Sequence, residues 1–324
     1  MVNRAFIVAI AAVLAGCDSF EDPNVVIDLR VLAMTASPPT QVIDVDFNQP
    51  PSPVDVLAQL VPTTVCALVA DPVAERIAWS LSLCGGTGGD RCGDDARLLA
   101  SGVAEDPKTA EPAPEMCATI APDADLLALL LRVLQDDTLR GLGGLSYLVE
   151  LRAGGETVDR SLDQYASKAL MVAPRIPATA TGNTNPRIDR IDTTIDDGPP
   201  VALPLGRCVD NPAPLEIPAG TRLRLTPIEP DGVREAYVVP TLDGKSQMFS
   251  ESLTYQWVTS RGGLSSGTTG GPRDITGNPA PLFTDFKAPT ADELTGPTDA
   301  TLWIIQRDER LGVTWYEACI RVVP

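Results

Sequence analysis

The sequence predicts a mostly β protein of two tandem β-sandwich domains, the first carrying one inserted helix near residues 123–138. Three observations lead there. Short runs that alternate apolar with small or polar residues recur in both halves, the period of a half-buried strand. Each half has one such run that carries a tryptophan in mid-domain, Ile77-Ala-Trp-Ser-Leu-Ser-Leu83 in the first and Leu253-Thr-Tyr-Gln-Trp257 in the second. Proline and glycine, 30 and 26 residues, punctuate the runs as turn formers. A chain of 324 residues fits two domains of roughly 100–200 residues each.

The N-terminus comes first. Met-Val-Asn-Arg4 is followed by an apolar run from Ala5 to Leu14 and by Ala15-Gly16-Cys17. A positive start, a short apolar stretch and small residues before a cleavage point describe an export signal. The run is half of the roughly 20 residues a spanning helix needs. Leu14-Ala15-Gly16-Cys17 resembles the lipobox of bacterial lipoproteins. The resemblance implies cleavage after Gly16, diacylglycerol on the Cys17 thiol, palmitate-type acyl chains, and a membrane attachment made through that lipid. It covers only residues 1–17, the signal proper being 1–16 and the lipidated tether 17–23. The expected location is the cell envelope, lipid-anchored at the outer membrane, on its periplasmic side or the cell surface. Asp18 is similar to an inner-membrane retention signal of some Gram-negative bacteria, but that rule varies among groups and does not choose the leaflet here.

The first sandwich is expected over 24–175. Besides the Trp79 strand, Ser146–Arg152 with Gly154-Gly155 behind it reads as a late strand and turn. Between them, Pro122 to Asp137 is made of strong helix formers, with Asp123 as N-cap and Gly141 as a stop. Arg132 breaks its apolar residues, so this helix covers an end or face of the sandwich and does not cross a bilayer. Pro174–Pro186, rich in Pro, Thr, Ala, Gly and Asn, reads as a linker with its centre at 176–184. The second sandwich follows over 185–324. Asn24–Pro39 aligns without gaps on Asn185–Pro200, sharing Asn, Ile, Asp and two prolines, which would mark the first strand of each domain. Thr301–Arg307 and Val313–Val323 flank a polar turn and read as a closing hairpin.

A tryptophan strand, Pro/Gly-rich turns and a late hairpin in each half resemble immunoglobulin-like or fibronectin-type sandwiches, in which such a Trp fills the space between sheets. The order Cys208, Trp257, Cys319 departs from that family, because the spacing is longer than its intersheet bridge. After Cys17 six cysteines remain, an even number in an exported chain, which points to disulfides. Cys208–Cys319 is expected to close the second domain. The four in the first domain admit three pairings. The flexible loop between Cys84 and Cys92 favours that pair, leaving Cys66 with Cys117.

Composition removes several functions. The formal charge is −18, and loss of Arg4 with the signal takes it one unit further, so nucleic acid is repelled. There is no histidine. This excludes Ser-His-Asp and Cys-His catalysis and imidazole–zinc sites, while paired-carboxylate hydrolysis survives. No cofactor is indicated. Gly85-Gly-Thr-Gly-Gly89 lacks the Gly-Lys-Ser/Thr ending of a phosphate loop, and Ser260–Gly271 reads as a polar loop.

Two clusters merit a functional reading beside a bland one. Asp189, Asp192, Asp196 and Asp197 crowd one segment after the linker and offer calcium-type oxygens, or simply a solvated acidic surface. Trp303 and Trp315 sit on the two arms of the closing hairpin, nearly opposite if the turn centres near Glu309. They are either an outward stacking platform for glycan or core packing. The expected function is a non-enzymatic binding or scaffold lipoprotein with an envelope protein or glycan as partner. A carbohydrate-binding module and a carboxylate-dependent hydrolase are the alternatives.

Overall fold

The computed structural model describes residues 22–46, 48–49, 52–72, 76–86, 91–93, 96–105, 116–155, 161–196, 198–241 and 245–324. Cys17 and the rest of the lipobox, and Asp197 of the acidic cluster, lie outside them. Among the described residues no helix is long and apolar enough to cross a membrane.

The first sandwich has strands β1 (Arg30–Ser37), β2 (Thr40–Ile43), β3 (Thr63–Ala70), β4 (Arg76–Gly85), β5 (Arg97–Glu105), β6 (Cys117–Ile120), β7 (Leu145–Gly154) and β8 (Gln164–Pro174). They form one sheet of order β1-β3-β6 and another of order β2-β8-β7-β4-β5. All pairs are antiparallel except β2 with β8, where Thr40 lies beside Met171 in parallel register. The core between the sheets holds Trp79 on β4, with Leu81, Leu83, Val149 and Leu151. Two helices close it, α1 (Pro53–Gln59) and α2 (Ala124–Asp136). In α2 the Asp123 carboxylate accepts from the Leu126 amide at 2.9 Å, satisfying one orphan N–H of the first turn. Leu126, Leu129, Leu130 and Val133 are its buried residues, one helical face laid on β4 and β7. The helix ends at Asp136, before Gly141. Asp137 follows it, and its carboxylate accepts from the amides of Leu139 and Gly141, so a side chain makes the stop that glycine was expected to make. The second helix, α1, was not anticipated: its seven residues are too few to show a period.

The second sandwich repeats the plan. Its strands are β9 (Arg190–Ile195), β10 (Val201–Leu203), β11 (Leu215–Pro218), β12 (Arg222–Ile228), β13 (Ala236–Pro240), β14 (Ser246–Ser250), β15 (Thr254–Thr259), β16 (Gly263–Leu264), β17 (Thr268–Gly270), β18 (Thr284–Lys287), β19 (Thr298–Arg307) and β20 (Val313–Val323). The sheets run β10-β9-β12-β18-β16 and β11-β20-β19-β15-β17, with β13-β14 as a separate hairpin. Again one early strand, β11, pairs in parallel with the last, β20. Trp257 on β15 takes the place of Trp79 on β4, fully buried and donating Nε1–H to Thr269 at 2.8 Å. Both halves are immunoglobulin-like sandwiches, with a tryptophan on the matching strand of each. The aligned segments Asn24–Pro39 and Asn185–Pro200 contain their first strands, β1 and β9. Ser260–Gly271 is not a free loop: β16 joins one sheet and β17 the other, so the segment steps across the sandwich.

The disulfides are Cys66–Cys117, Cys84–Cys92 and Cys208–Cys319. Cys66 and Cys117 face each other on neighbouring strands of one sheet. Cys208 ties the chain between β10 and β11 to the last strand.

The two sandwiches meet face to face. Along β19, Leu302 and Ile304 point into the second core, while Trp303 and Ile305 point out of it. On β3, Ala67 and Val69 point into the first core, while Leu68 and Ala70 point out. The outward sets join with Val26, Leu32, Ala33, Val258 and Val313 in a third apolar cluster. The molecule is therefore a stack of four sheets with three cores, and the middle two sheets are buried on both faces. Such strands read as unbroken apolar runs. Polar bonds frame the seam: Thr35 Oγ1 donates to the Val313 carbonyl at 2.5 Å, Arg307 Nη2 to the Leu32 carbonyl at 3.2 Å, and Lys168 Nζ to the Leu311 carbonyl.

Candidate functional site

The seam overturns the glycan-platform reading of Trp303 and Trp315. Trp303 is 3% exposed inside the third cluster, and Trp315 is half-buried against it. They are not opposite either: Trp303 pairs with Glu317, and Trp315 with Ile305. Both face outward from their own sandwich, but the other sandwich covers that face.

The acidic residues after the linker do not converge. Asp192 pairs with Arg190 at 2.7 Å, and Asp196 sits in the turn after β9 with φ +42°. The Asp189 amide donates to Ile228 at 2.9 Å. Among the described residues no three His, Cys, Asp or Glu side chains group as metal ligands.

What the packing creates is a cleft at the junction. Its volume is about 680 Å³, within the range of small-ligand sites. One wall is β13. The rest of the lining comes from the linker residues Ile176 and Thr179–Thr181, from Leu142 and Met171 of the first domain and from the Glu309–Leu311 turn of the second. The lining is mainly apolar. The linker is not a loose tether: Asn183, 2% exposed, donates to the Asp308 carboxylate at 2.9 Å and to the Arg310 carbonyl at 2.8 Å. Asn185 bridges the domains, donating to the Ala36 carbonyl at 2.8 Å and accepting from the Val313 amide at 3.0 Å. At Gly182 an added Cβ would lie 2.7 Å from the Thr40 carbonyl oxygen, so only glycine lets the linker run this close to β2.

The base of the hairpin is charged. Arg310 Nη1 lies 3.2 Å from Glu251 and 3.4 Å from Glu235, and its Nη2 donates to the Thr181 carbonyl at 3.1 Å. Its guanidinium also covers the Tyr237 ring at 4.9 Å. Tyr237 stacks on Phe249 with centroids 5.5 Å apart and donates to Glu309 at 2.6 Å. Burial pushes the Glu251 carboxyl up to about 7, with neighbouring Asp308 adding to the shift and Arg310 opposing it. Across the seam burial lowers Lys168 to about 8, partly offset by Asp308.

Glu235 and Glu251 are thus two carboxylates gathered on one arginine, the nearest the site comes to the paired acids of a carboxylate hydrolase. Yet the Glu251 side chain is 1% exposed and both acids are held by one arginine. A second apolar hollow of about 410 Å³ lies under α2, between Leu127, Leu130, Leu134 and Ile43. The β13–β14 hairpin went unread in the sequence, although Tyr237-Val-Val239 followed by Asp243-Gly244 carries the composition of a hairpin.

No protein-family model and no curated protein matches the chain. Among solved structures it is similar to a marsupial T cell receptor, with 8% identity over 91% of this chain and 97% of the other, at a TM-score of 0.22. The collagen adhesin CNA of S. aureus shows 11% identity over 91% and 93% of the two chains, at 0.16. The Bacteroides ovatus mixed-linkage glucan utilization protein SGBP-B shows 9% over 91% and 70%, at 0.18. The fold assignment rests on the strand order common to its two halves.

Proposed function

We propose that this chain is a non-enzymatic binding or scaffold lipoprotein of the cell envelope, anchored through lipid on Cys17 and presenting its interdomain cleft to a protein partner. The observation that carries the reading is the seam itself. Two sandwiches fused through an apolar face hold an open, largely apolar cleft in fixed shape, and ligand sites favour such domain junctions. The disulfides fit an oxidising compartment outside the cytoplasm. The burial of Glu251 and its tie to Arg310 support a structural carboxylate rather than a catalytic one.

The tether agrees with anchoring. Asn24 and Val26 bond to Thr259 at the end of β15, so the described chain starts pinned to the second sandwich. Cys17 lies five residues before Asp22, at most about 18 Å at full extension. Lipid there would keep the body close to the bilayer. Two or three acyl chains, at about 0.8 kcal/mol per buried CH₂, hold far more firmly than one.

The test is to crosslink intact producing cells, recover wild-type and Cys17→Ala protein, and weigh the N-terminal peptide by mass spectrometry. A diacylglycerol-modified Cys17 and a protein recovered in near-equal amount, lost with Cys17→Ala, are expected. An unmodified N-terminus removes the anchor, and repeated recovery of no protein partner removes the scaffold.

A further inference from the structure

We infer that the interdomain cleft receives an extended peptide segment of its partner, which adds as a strand to the outer edge of β13. The inference deepens the binding reading above and rests on it.

The backbone register decides which groups face the cleft. In the β13–β14 hairpin, Ala236 pairs with Ser250 and Val238 with Met248. Beyond the strand ends, Thr241 N donates to Lys245 O at 2.8 Å and Glu251 N to Glu235 O at 3.0 Å. Hydrogen-bonded pairs alternate along an antiparallel ladder, so the odd-numbered residues of β13 exchange bonds with β14. The N–H and C=O groups of Ala236 and Val238 therefore point the other way. That edge borders the cleft, which takes lining from β13 and none from β14. Among the described residues no backbone–backbone hydrogen bond reaches the amides of Ala236 or Val238.

A strand edge of this kind is a template for another chain, and proteins normally cover or blunt it. Here Pro240, which has no N–H, interrupts only the far end of β13, and β13 pairs with no strand but β14 among the described residues. The chemistry that completes the site is a row of peptide donors and acceptors repeating every two residues. A sugar or a single acyl chain cannot supply that row; an extended peptide does. Leu139, Leu142, Met171 and Ala173 make the domain-1 wall apolar. The segment that fits therefore carries apolar side chains at alternate positions, facing that wall.

The probe is the blocked pentapeptide acetyl-Leu-Thr-Val-Thr-Leu-amide, titrated calorimetrically into the full mature chain bearing Cys17→Ala. Two analogues are compared with it, N-methylated on the odd or on the even residues. Strand addition uses one edge of the peptide, so one analogue should lose about tenfold or more in affinity and the other should keep it. Val238→Pro removes an outward N–H and leaves the ladder to β14 intact, and should weaken the parent peptide to the same degree. Amide exchange at Ala236 and Val238 in the otherwise unaltered chain should slow when the peptide binds, a readout independent of how that variant folds. The proposal is overturned if the peptide does not bind at millimolar concentration, if both analogues bind alike, or if exchange at these amides is unchanged. A cellular partner recovered equally with wild-type and Val238→Pro protein would leave the scaffold reading standing and remove this site. Recovery of no partner would remove the scaffold reading itself.

Discussion

The Arg310 guanidinium and the Glu251 carboxylate lie 3.2 Å apart beneath the β13–β14 hairpin, and the acid is the more deeply buried of the two. Asp308 and Glu235 stand beside it, so one arginine answers an excess of acids. That imbalance, added to burial, is why Glu251 holds its proton to about 7.

Stability should consequently carry a pH signature. An unfolded glutamate titrates near 4.3, so between that value and about 7 the folded chain binds more protons than the unfolded one. The contribution of Glu251 is then fully present at the acid end of this window and is lost as pH rises through 7. Melting wild type and Glu251→Gln side by side from pH 5 to 8 isolates it. The gap between the two curves should change across that window, and parallel curves would refute the shifted carboxyl.

Trp303 fills the seam, and removing it should open a large cavity between the sandwiches. Trp303→Ala should cost about 3–5 kcal/mol in urea unfolding, whereas an exposed platform residue would cost little. Iodide supplies an orthogonal check. A Trp303-only variant, the other tryptophans replaced by Phe, should resist quenching, and strong quenching would return the ring to the surface.

The disulfides should differ in worth by the loops they close. Cys208–Cys319 spans 111 residues and Cys84–Cys92 only 8. Loop-closure entropy assigns them about 4.8 and about 2.5 kcal/mol. Replacing each pair by alanines and measuring chemical denaturation should reproduce that order. The reverse order would mean that native contacts, not chain entropy, set their value.

Asn183 pins the linker from a buried position. Asn183→Ala leaves the Arg310 carbonyl and the Asp308 carboxylate short of a donor, a loss of about 1–3 kcal/mol. Limited proteolysis should then cut near Thr179–Thr181, where the wild-type chain resists. Equal resistance would show that the linker is held by something other than Asn183.

Much of this architecture was legible locally. Alternation around Trp79 and Trp257 marks strands because side chains in a strand alternate faces, whatever lies beyond them. Asp123 announces the start of α2 because capping is a bond between residues three apart. The hairpin that walls the cleft was harder to read, since every residue of β14 is exposed and no apolar period is imposed on it.

What the sequence by itself determined is the two tryptophan strands and the closing hairpin, the capped helix, the even set of disulfide cysteines and the absence of histidine chemistry. Only the tertiary structure decided what each buried face meets. Leu302-Trp-Ile-Ile305 is an unbroken apolar run, and no local rule tells whether its outward half meets ligand, solvent or protein. Contact across the seam joins residues as distant as Leu68 and Trp303, so their burial is a property of the assembled sheets. The cleft is likewise a shape left by two rigid bodies fitting together. Its residues come from five separate stretches of chain, none with a pattern of its own, because strand edges and linker backbone carry no side-chain signal.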